Sequence, residues 1–409
     1  MTDLPLAIVL GVDTPIGLTV LRELGEHDVP VHGIGRSSHA LGRFSRYCTS
    51  FSVRPSDVPL DQWLPELIQQ TGAAILFAIS EGDLLALADL PERVNGCLIC
   101  TPRRDRLERV LDKRQTLELA AALGMDVPAS WQPVAGDDFA ARSQALPYPV
   151  VLKWADPPAV IPALDTHALP FEKAEFAMDA PALLAALERY RPMGLWPMVQ
   201  SYCPGEGLGH MLLMHQGQAK LRFQHRRLHE WPPEGGVSTL CTAEPAQQHH
   251  EQMERSQALL RALDWQGPAM VEYRHDAATG RYWLMEVNGR FWGSLPLAWH
   301  CGASFAWTSY HLALFGVSPA QADNHPKMRR ARYMIPETRR LLRIVRPASH
   351  IRDPQFRRKP MADLATWLFG FFDPAMRYYV FTLRDPGPFL ADCTHVIRKA
   401  AQSLVRRRR

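Results

Sequence analysis

Residues 267–297 constrain the fold of this 409-residue chain most strongly, because they predict two extended segments joined by a turn. The turn spans residues 276–280, of sequence DAATG, and Gly280 can adopt the positive φ that such turns need. The flanking segments are rich in residues that favour strands. An antiparallel β-hairpin is therefore predicted here.

The second segment of this hairpin carries polar side chains at alternate positions. Side chains of a strand alternate between its two faces, so Glu286, Asn288 and Arg290 should share one face. With an even register, Glu272 of the first segment falls on that face too. Two carboxylates and an amide oxygen suit Mg²⁺, which proteins often hold with one or two carboxylates plus substrate phosphates. The same pattern also fits a surface hairpin with ordinary alternating polar residues.

Length and composition predict a globular protein of two or three domains. The chain is 46% hydrophobic and 22% charged, and it has seven cysteines without dense spacing. Sparse cysteines indicate a reducing compartment, and no run reaches the roughly 18 apolar residues of a membrane-spanning helix. A cytoplasmic protein is expected.

Charge is concentrated at the carboxyl end. Residues 326–409 contain 20 Lys and Arg against 6 Asp and Glu, a net charge of +14, which leaves −10 for residues 1–325 because the whole chain carries +4. This basic segment also carries aromatic residues, among them Trp367 and Phe372. It predicts an anionic partner, such as the inner face of a membrane, although the aromatics could equally pack against the body. Nucleic acid is not expected, because no recognised binding module is present.

The amino-terminal region predicts a doubly wound parallel sheet. Residues 6–35 alternate strand, turn, helix and strand, with Thr14 or Asp13 as the helix N-cap. Only Gly11 and Gly17 are present of a dinucleotide-binding glycine pattern, which favours a tight turn over an NAD site. A further strand, 73–80, leads into an acidic turn, 81–83, that either faces a cleft or caps the next helix.

The middle of the chain predicts a second unit that begins near Lys113. A strand starting after Tyr148 ends at Lys153, and residues 155–170 contain several prolines and no glycine, which predicts an irregular loop. Beyond it, a turn is predicted at 205–207 and a mobile loop at 231–236.

An ordered set of residues carries a resemblance to a known superfamily. The set comprises Lys113, Lys153, Gln200, Ser201, Tyr202, Cys203, Glu206, Glu272 and the run from Glu286 through Asn288 to Arg290. It resembles the ATP-grasp enzymes, which include biotin carboxylase, carbamoyl phosphate synthetase and D-alanine–D-alanine ligase. The loop HRRLHEWPPEGG and the hairpin segment MEVNGRFWGS are most similar to predicted carboxylate–amine ligases of bacteria.

The resemblance covers roughly residues 6–320 and implies an α/β architecture. A doubly wound parallel-sheet domain, 1–112, would precede an ATP-grasp fold of two α+β subdomains, 113–199 and 200–325. A basic, aromatic-containing extension, 326–409, would follow.

The resemblance also implies a role for each matched residue. Lys113 and Lys153 would contact ATP phosphates, and the segment from Gln200 through Ser201 and Tyr202 to Cys203 would read adenine through its backbone. Glu206 would accept from the ribose hydroxyls. Glu272, Glu286 and Asn288 would hold Mg²⁺, with Mn²⁺ as an alternative. Arg226, Arg227 and Arg290 would handle the carboxylate substrate and the reacting group.

The function implied is an ADP-forming ligase that joins a small carboxylate to a small amine through an acyl phosphate. A thiol or ammonia as acceptor, a non-catalytic nucleotide-binding protein, and a homo-oligomeric assembly remain open. One departure stands out: many ATP-grasp enzymes have a glycine-rich loop after the second lysine, whereas 155–170 has no glycine.

Overall fold

The computed structural model describes residues 4–155, 157–319, 327–346, 351–354 and 356–407. Three sheets organise these residues, with six, four and seven strands in chain order. Pro326 and the last two arginines of the predicted basic extension lie outside the described residues.

The first sheet has the strand order β3-β2-β1-β4-β6-β5, and every pairing is parallel except that of β5 with β6. The predicted doubly wound parallel sheet is thus confirmed. Its strands are β1 Ala7–Leu10, β2 Val31–Gly35, β3 Ser50–Val53, β4 Ile75–Ala78, β5 Arg93–Val94 and β6 Cys97–Cys100. Its helices are α1 Pro15–Glu26, a 3₁₀ turn Leu41–Phe44, α2 Leu60–Thr71, α3 Glu81–Leu87 and α4 Arg104–Leu111.

The first strand–helix connection is a tight turn closed by the chain itself. Thr14 is the N-cap of α1 and its hydroxyl accepts from the Gly17 amide at 3.2 Å. A Cβ at Gly17 would lie 2.3 Å from the Gly11 carbonyl oxygen, and Gly11 itself has φ +104°. Both glycines are therefore required by this close approach of turn and helix.

The second sheet is antiparallel, with the order β7-β10-β8-β9. Its strands are β7 Ser130–Trp131, β8 Val150–Lys153, β9 Glu175–Ala177 and β10 Met198–Ser201. Helix α5 Lys113–Ala122 precedes this sheet in the chain and packs against α4 and the later strand of residues 281–288. With the second sheet go α6 Phe139–Gln144, α7 Pro157–Thr166, α8 Ala180–Arg189 and a 3₁₀ turn Arg191–Met193. Apolar residues from this region alone, including Leu152 and Trp196, form a separate hydrophobic core.

The prediction of an irregular loop over 155–170 is wrong, because α7 occupies most of it. Pro157 begins the helix, where a missing N–H would be unpaired in any case. Val160 and Leu164 lie four residues apart and are buried in the core of the second sheet. This apolar spacing outweighs the high proline content, although Pro162 lies inside the helix.

The third sheet has the order β15-β14-β11-β12-β13-β16-β17, antiparallel except for β16 with β17. Its strands are β11 Glu206–His215, β12 Gln218–Trp231, β13 Val237–Ala243, β14 Gly267–Asp276, β15 Arg281–Asn288, β16 Arg330–Arg332 and β17 Met376–Tyr378. The helices α9 His250–Ala262, α10 Leu295–His300 and α11 Phe305–Phe315 belong to the same part of the chain.

The predicted hairpin of residues 267–297 is confirmed as β14 and β15. Two shorter turn predictions need correction. Glu206 already begins β11, so little of the turn at 205–207 remains, and Trp231 ends β12 rather than opening a loop. Residues 81–83 form the first turn of α3, whose N-cap Ser80 accepts from the Asp83 amide at 3.1 Å.

The basic carboxyl-terminal segment is built into the fold rather than appended to it. Its strand β16 pairs with β13 of the third sheet. Its helices are α12 Met334–Val345, α13 Pro360–Phe369 and α14 Gly387–Arg407. Between β17 and α14, Asp385 accepts from Arg22 Nε of α1 at 2.9 Å, with the side chains 2% and 0% exposed. This segment therefore joins the first sheet to the third.

Candidate functional site

The face of the third sheet that carries Glu272 is the centre of the candidate site. Glu272 of β14 lies directly opposite Glu286 of β15, and Asn288 lies opposite Met270. The even register expected from the alternation is therefore present, and the carboxylates and the amide share a face. A β-bulge follows this pair, between Glu272 and Tyr273, a common feature beside functional side chains.

Each polar group of this face has a cationic partner, and together they form what we call the carboxylate cluster. Lys113 Nζ lies 3.1 Å from Glu286 Oε2, and Arg227 donates to Glu272. Arg290 donates to Asn288 Oδ1 at 3.3 Å and, through Nε, to Glu81 at 3.0 Å. The acidic residue at the start of α3 therefore does face this cluster, one of the two alternatives left by the sequence.

The pKa values of Glu272 and Glu286 are shifted in opposite directions. Burial alone would raise the pKa of Glu286, but the attraction of Lys113 outweighs it and holds that pKa well below its usual range. Burial raises the pKa of Glu272, and the neighbouring negative charge of Glu286 adds to this effect despite Arg227. Two neighbouring carboxylates repel each other when both are ionised. A cation bound between Glu272 and Glu286 would therefore stabilise the ionised form of both.

A divalent cation fits the donor set of this face. Within the described ranges no three His, Cys, Asp or Glu residues converge as a complete metal cage. Two carboxylates and an amide oxygen are nevertheless typical of Mg²⁺, which completes its shell with water and substrate oxygens. Asn288 at present donates through Nδ2 to Glu286 at 3.3 Å, so a half-turn of its amide would present the oxygen.

A second lysine faces the cluster from the second sheet. Lys153 is the last residue of β8, and burial, followed by repulsion from Lys113, lowers the pKa of its ammonium group to about 8. The carboxylates of Glu286 and Glu272 act in the opposite direction. The pKa of Lys113 is instead raised, chiefly by Glu286. Two amines from different elements thus lie beside the same carboxylates.

The segment from Gln200 to Cys203 forms the end of β10 and the two residues that follow it. Gln200 Nε2 donates to Ser130 Oγ at 3.0 Å, and Cys203 is buried. The amides of Ser201 and Tyr202 donate to Ala129 and Pro149 carbonyls at 2.8 and 3.2 Å, so these two N–H groups are paired within the chain. The adenine-reading role that the resemblance implies stays a prediction.

Arg226 and Arg227 lie on opposite faces of β12. Arg226 is paired with Leu208 of β11 and binds Glu206 and Glu244, each at 2.8 Å. Arg227 faces Gly207, where a Cβ would lie 2.9 Å from its side chain, and it reaches Glu272. Of the two arginines, only Arg227 reaches the carboxylate cluster. Glu206 binds Arg226 on the other face, and the predicted site roles of Arg226 and Glu206 stay predictions.

Three further charged residues lie near the cluster. Arg274 shares the face of Glu272, two residues on, and donates to the Gly205 carbonyl at 3.1 Å. It also lies 3.8 Å from Glu230, which in turn is 3.9 Å from Arg227. The positive charge of Lys173 acts on both carboxylates. Lys173 follows the glycine-free segment 155–170 and is a candidate for the phosphate contacts of that missing loop, whereas Arg274 could have been identified by strand alternation.

A cavity of about 880 Å³ lies beside the cluster and shares Arg290 with it. It is lined by the ends of β4 and β6, by α3 and α11, and by the turn that precedes β14. Its lining mixes apolar side chains such as Phe77 and Leu87 with charged residues of α4 such as Arg104. This space can hold a part of a ligand that extends beyond Arg290.

Solved structures similar to this chain share one fold with each other. An L-amino acid ligase from Bacillus licheniformis superimposes with a TM-score of 0.56 at 16% identity, covering 77% of this chain and 75% of that one. An N5-carboxyaminoimidazole synthetase from Staphylococcus aureus, complexed with ADP, gives 0.61 at 13% identity, covering 81% and 83%. This chain has the ATP-grasp fold.

A third ATP-grasp neighbour is the biotin carboxylase domain of the Hydrogenobacter thermophilus 2-oxoglutarate carboxylase. It gives a TM-score of 0.59 at 12% identity, covering 79% of this chain and 72% of that one. Its structure is a dimer with MgADP, ADP and bicarbonate. Identities this low establish the shared ATP-grasp architecture and leave the reaction to be argued from the site.

No family model matches the sequence, and no curated protein matches it either.

Proposed function

We propose that this protein is an ATP-dependent, ADP-forming ligase that joins a carboxylate to an amine. The observation that carries the proposal is the carboxylate cluster: Glu272 and Glu286 lie opposite each other, with Lys113 and Lys153 beside them. The ATP-grasp neighbours include an amino acid ligase, and two of them were crystallised with ADP. Acidic groups for a metal ion and basic groups for phosphates, gathered on one face, are what phosphoryl transfer needs.

In this proposal Glu272, Glu286 and Asn288 hold Mg²⁺, with Mn²⁺ as an alternative. The metal would neutralise charge on the phosphates of ATP. Lys113 and Arg227, which now pair with the carboxylates, would be released to contact phosphate oxygens. Exchange of one cationic partner for another keeps both carboxylates compensated, so the cluster need not be rebuilt when nucleotide binds.

The remaining roles are those that the resemblance to ATP-grasp enzymes implies. Lys153 would contact the phosphates from the second sheet, opposite Lys113. Gln200 to Cys203 would border the adenine, with Glu206 near the ribose. Arg290 would orient the substrate carboxylate, which attacks the γ-phosphate to give an acyl phosphate, and the amine then displaces phosphate. The chain needs no nucleophile of its own for either step.

The acceptor is tested directly by a screen for ADP release. Amino acids and other small carboxylates are each paired with amines, ammonia and thiols, and ADP is measured with and without Mg²⁺. The proposal expects ADP release that depends on both a carboxylate and an amine. ADP release with a thiol or ammonia alone would reassign the acceptor. ATP binding without any substrate-dependent ADP would point to a non-catalytic nucleotide-binding protein.

The low pKa of Lys153 predicts an alkaline limit to activity. An ammonium with a pKa of about 8 loses its proton as the pH rises, so kcat/KM for ATP should fall above about pH 8. At pH 9 the fall should be roughly tenfold. The Lys153→Arg variant stays charged, so its profile should remain flat through pH 9.5 even if its plateau is lower. An unchanged alkaline limit in that variant would assign the titration to another group.

The segment from Gln200 to Cys203 predicts a positioning role for Tyr202. The Tyr202 hydroxyl donates to Asp353 Oδ1 at 3.1 Å, which ties this segment to the carboxyl-terminal segment. Loss of this bond should raise KM for ATP by roughly threefold to tenfold with kcat little changed. Tyr202→Phe should show this change, whereas the same substitution made in an Asp353→Ala background should add nothing further. A KM for Tyr202→Phe equal to that of the wild type would contradict this role.

A further inference from the structure

The end of α13 exposes a cluster of large apolar side chains, which we call the aromatic tip. Its members and their exposed fractions are Leu368 at 47%, Phe369 at 71%, Phe371 at 47% and Phe372 at 83%. Scattered apolar residues are ordinary on a protein surface, but four within five consecutive positions form a contiguous patch. Such patches mark contacts with another apolar surface.

The tip is held in place by Arg332, which is buried. Arg332 donates to the carbonyls of Trp367 and Thr366 at 2.9 and 3.1 Å, and so caps the carboxyl end of α13. Its guanidinium also lies 5.6 Å from the Phe371 ring. A Cβ at Gly370 would lie 2.1 Å from Arg332 Nη2, so glycine leaves the space that this guanidinium occupies. Arg332 thus holds the backbone from which Phe369 and Phe372 project.

Three arginines contact the two residues that directly follow the tip in the chain. Arg329 and Arg377 donate to the Pro374 carbonyl at 3.3 and 2.9 Å, and Arg330 lies 3.4 Å from Asp373. The three arginines and Asp373 together carry a net charge of +2. The wider segment 326–409 carries +14. Exposed apolar side chains next to a group of arginines are the combination that favours the headgroup region of an anionic bilayer.

We propose that the aromatic tip docks this protein on the surface of an anionic lipid bilayer. Phe369 and Phe372 would enter the interface, and Arg329, Arg330 and Arg377 would meet the lipid phosphates. No helix within the described ranges is long and apolar enough to span a bilayer. Each arginine near such a surface contributes about fivefold to the binding constant, which makes the contact dependent on salt and lipid charge.

The test is co-sedimentation of the full-length protein with vesicles. One set is phosphatidylcholine alone, and the other contains about one quarter phosphatidylglycerol. We expect binding to the anionic set that weakens in high salt and falls at least tenfold in the Phe369→Ser/Phe372→Ser variant. The matched control is Val134→Ser/Leu195→Ser. It removes two apolar side chains from the part of the chain that forms the second sheet, where they are 53% and 48% exposed. It should bind as the wild type does.

Three results would overturn the proposal: no binding by the wild type, equal binding to both vesicle sets, or equal binding by the tip variant. Sedimentation velocity distinguishes lipid binding from the alternative that the tip contacts a second copy of this chain. A wild-type dimer that the tip variant converts to a monomer, without vesicle binding, would assign the tip to self-association. ADP release by the tip variant should match the wild type, so the tip and the proposed ligase activity can fail independently.

Discussion

Replacing Glu286 by glutamine is expected to reduce ADP release by at least about 100-fold. Glu286 is the carboxylate whose pKa is held low, so it offers a full negative charge to a metal ion at neutral pH. The amide keeps the shape and loses that charge. The measurement is ADP release at saturating ATP and Mg²⁺, with the substrates found by the screen.

The fold should survive this change, because the Glu286–Lys113 pair is partly exposed, at 32% and 29%. A thermal midpoint near that of the wild type would show this. The matched control is Glu251→Gln on α9, an exposed glutamate on a helix away from the cluster, which should leave ADP release unchanged. Full turnover by Glu286→Gln would remove Glu286 from the metal site, whatever the substrate.

Replacing Asp385 by alanine is expected to destabilise the protein by about 3–5 kcal/mol. Asp385 accepts from Arg22 Nε at 2.9 Å, from Ser45 Oγ at 2.6 Å and from the Arg46 amide at 2.9 Å. Its removal leaves the Arg22 guanidinium buried and uncompensated. Urea unfolding followed by circular dichroism measures the loss.

A nearby exposed pair provides the control for Asp385. Arg384 lies 3.8 Å from Glu26 and is 80% exposed, so Arg384→Ala should cost no more than about 1 kcal/mol. Adding Arg22→Met to Asp385→Ala should recover part of the stability, because the buried charge is then gone. Equal stability of Asp385→Ala and Arg384→Ala would mean that the carboxyl-terminal segment does not hold the first sheet.

The sequence was sufficient for features set by local patterns. Alternation along β15 predicted that Glu286 and Asn288 share a face, and the strand–turn–helix order predicted the parallel first sheet. Alternation also applies to β12, where adjacent residues such as Arg226 and Arg227 must point to opposite faces. The composition of HRRLHEWPPEGG predicts a loop from Trp231 onward but does not show that the strand β12 runs through its first half.

Long-range placement could not be predicted in the same way. The strand β16 has three residues, and its pairing with β13 joins parts of the chain about ninety positions apart. The ion pair of Arg22 with Asp385 spans 363 positions. Neither has a repeating pattern that a local rule can detect. Helix α7 differs for another reason. Its proline content predicts a loop, whereas the four-residue spacing of Val160 and Leu164 predicts a helix, and the spacing is the better indicator here.

The distribution of hydrophobic cores has a mechanical consequence. Residues of the first and third sheets share their cores, whereas the second sheet packs around a core of its own. We therefore expect the second sheet, which carries Lys153, to move as a unit against the carboxylate cluster, while the first and third sheets move together. The bonds of Asp353 to Tyr202 and of Arg352 to Glu172 would then act as a tether that limits the swing.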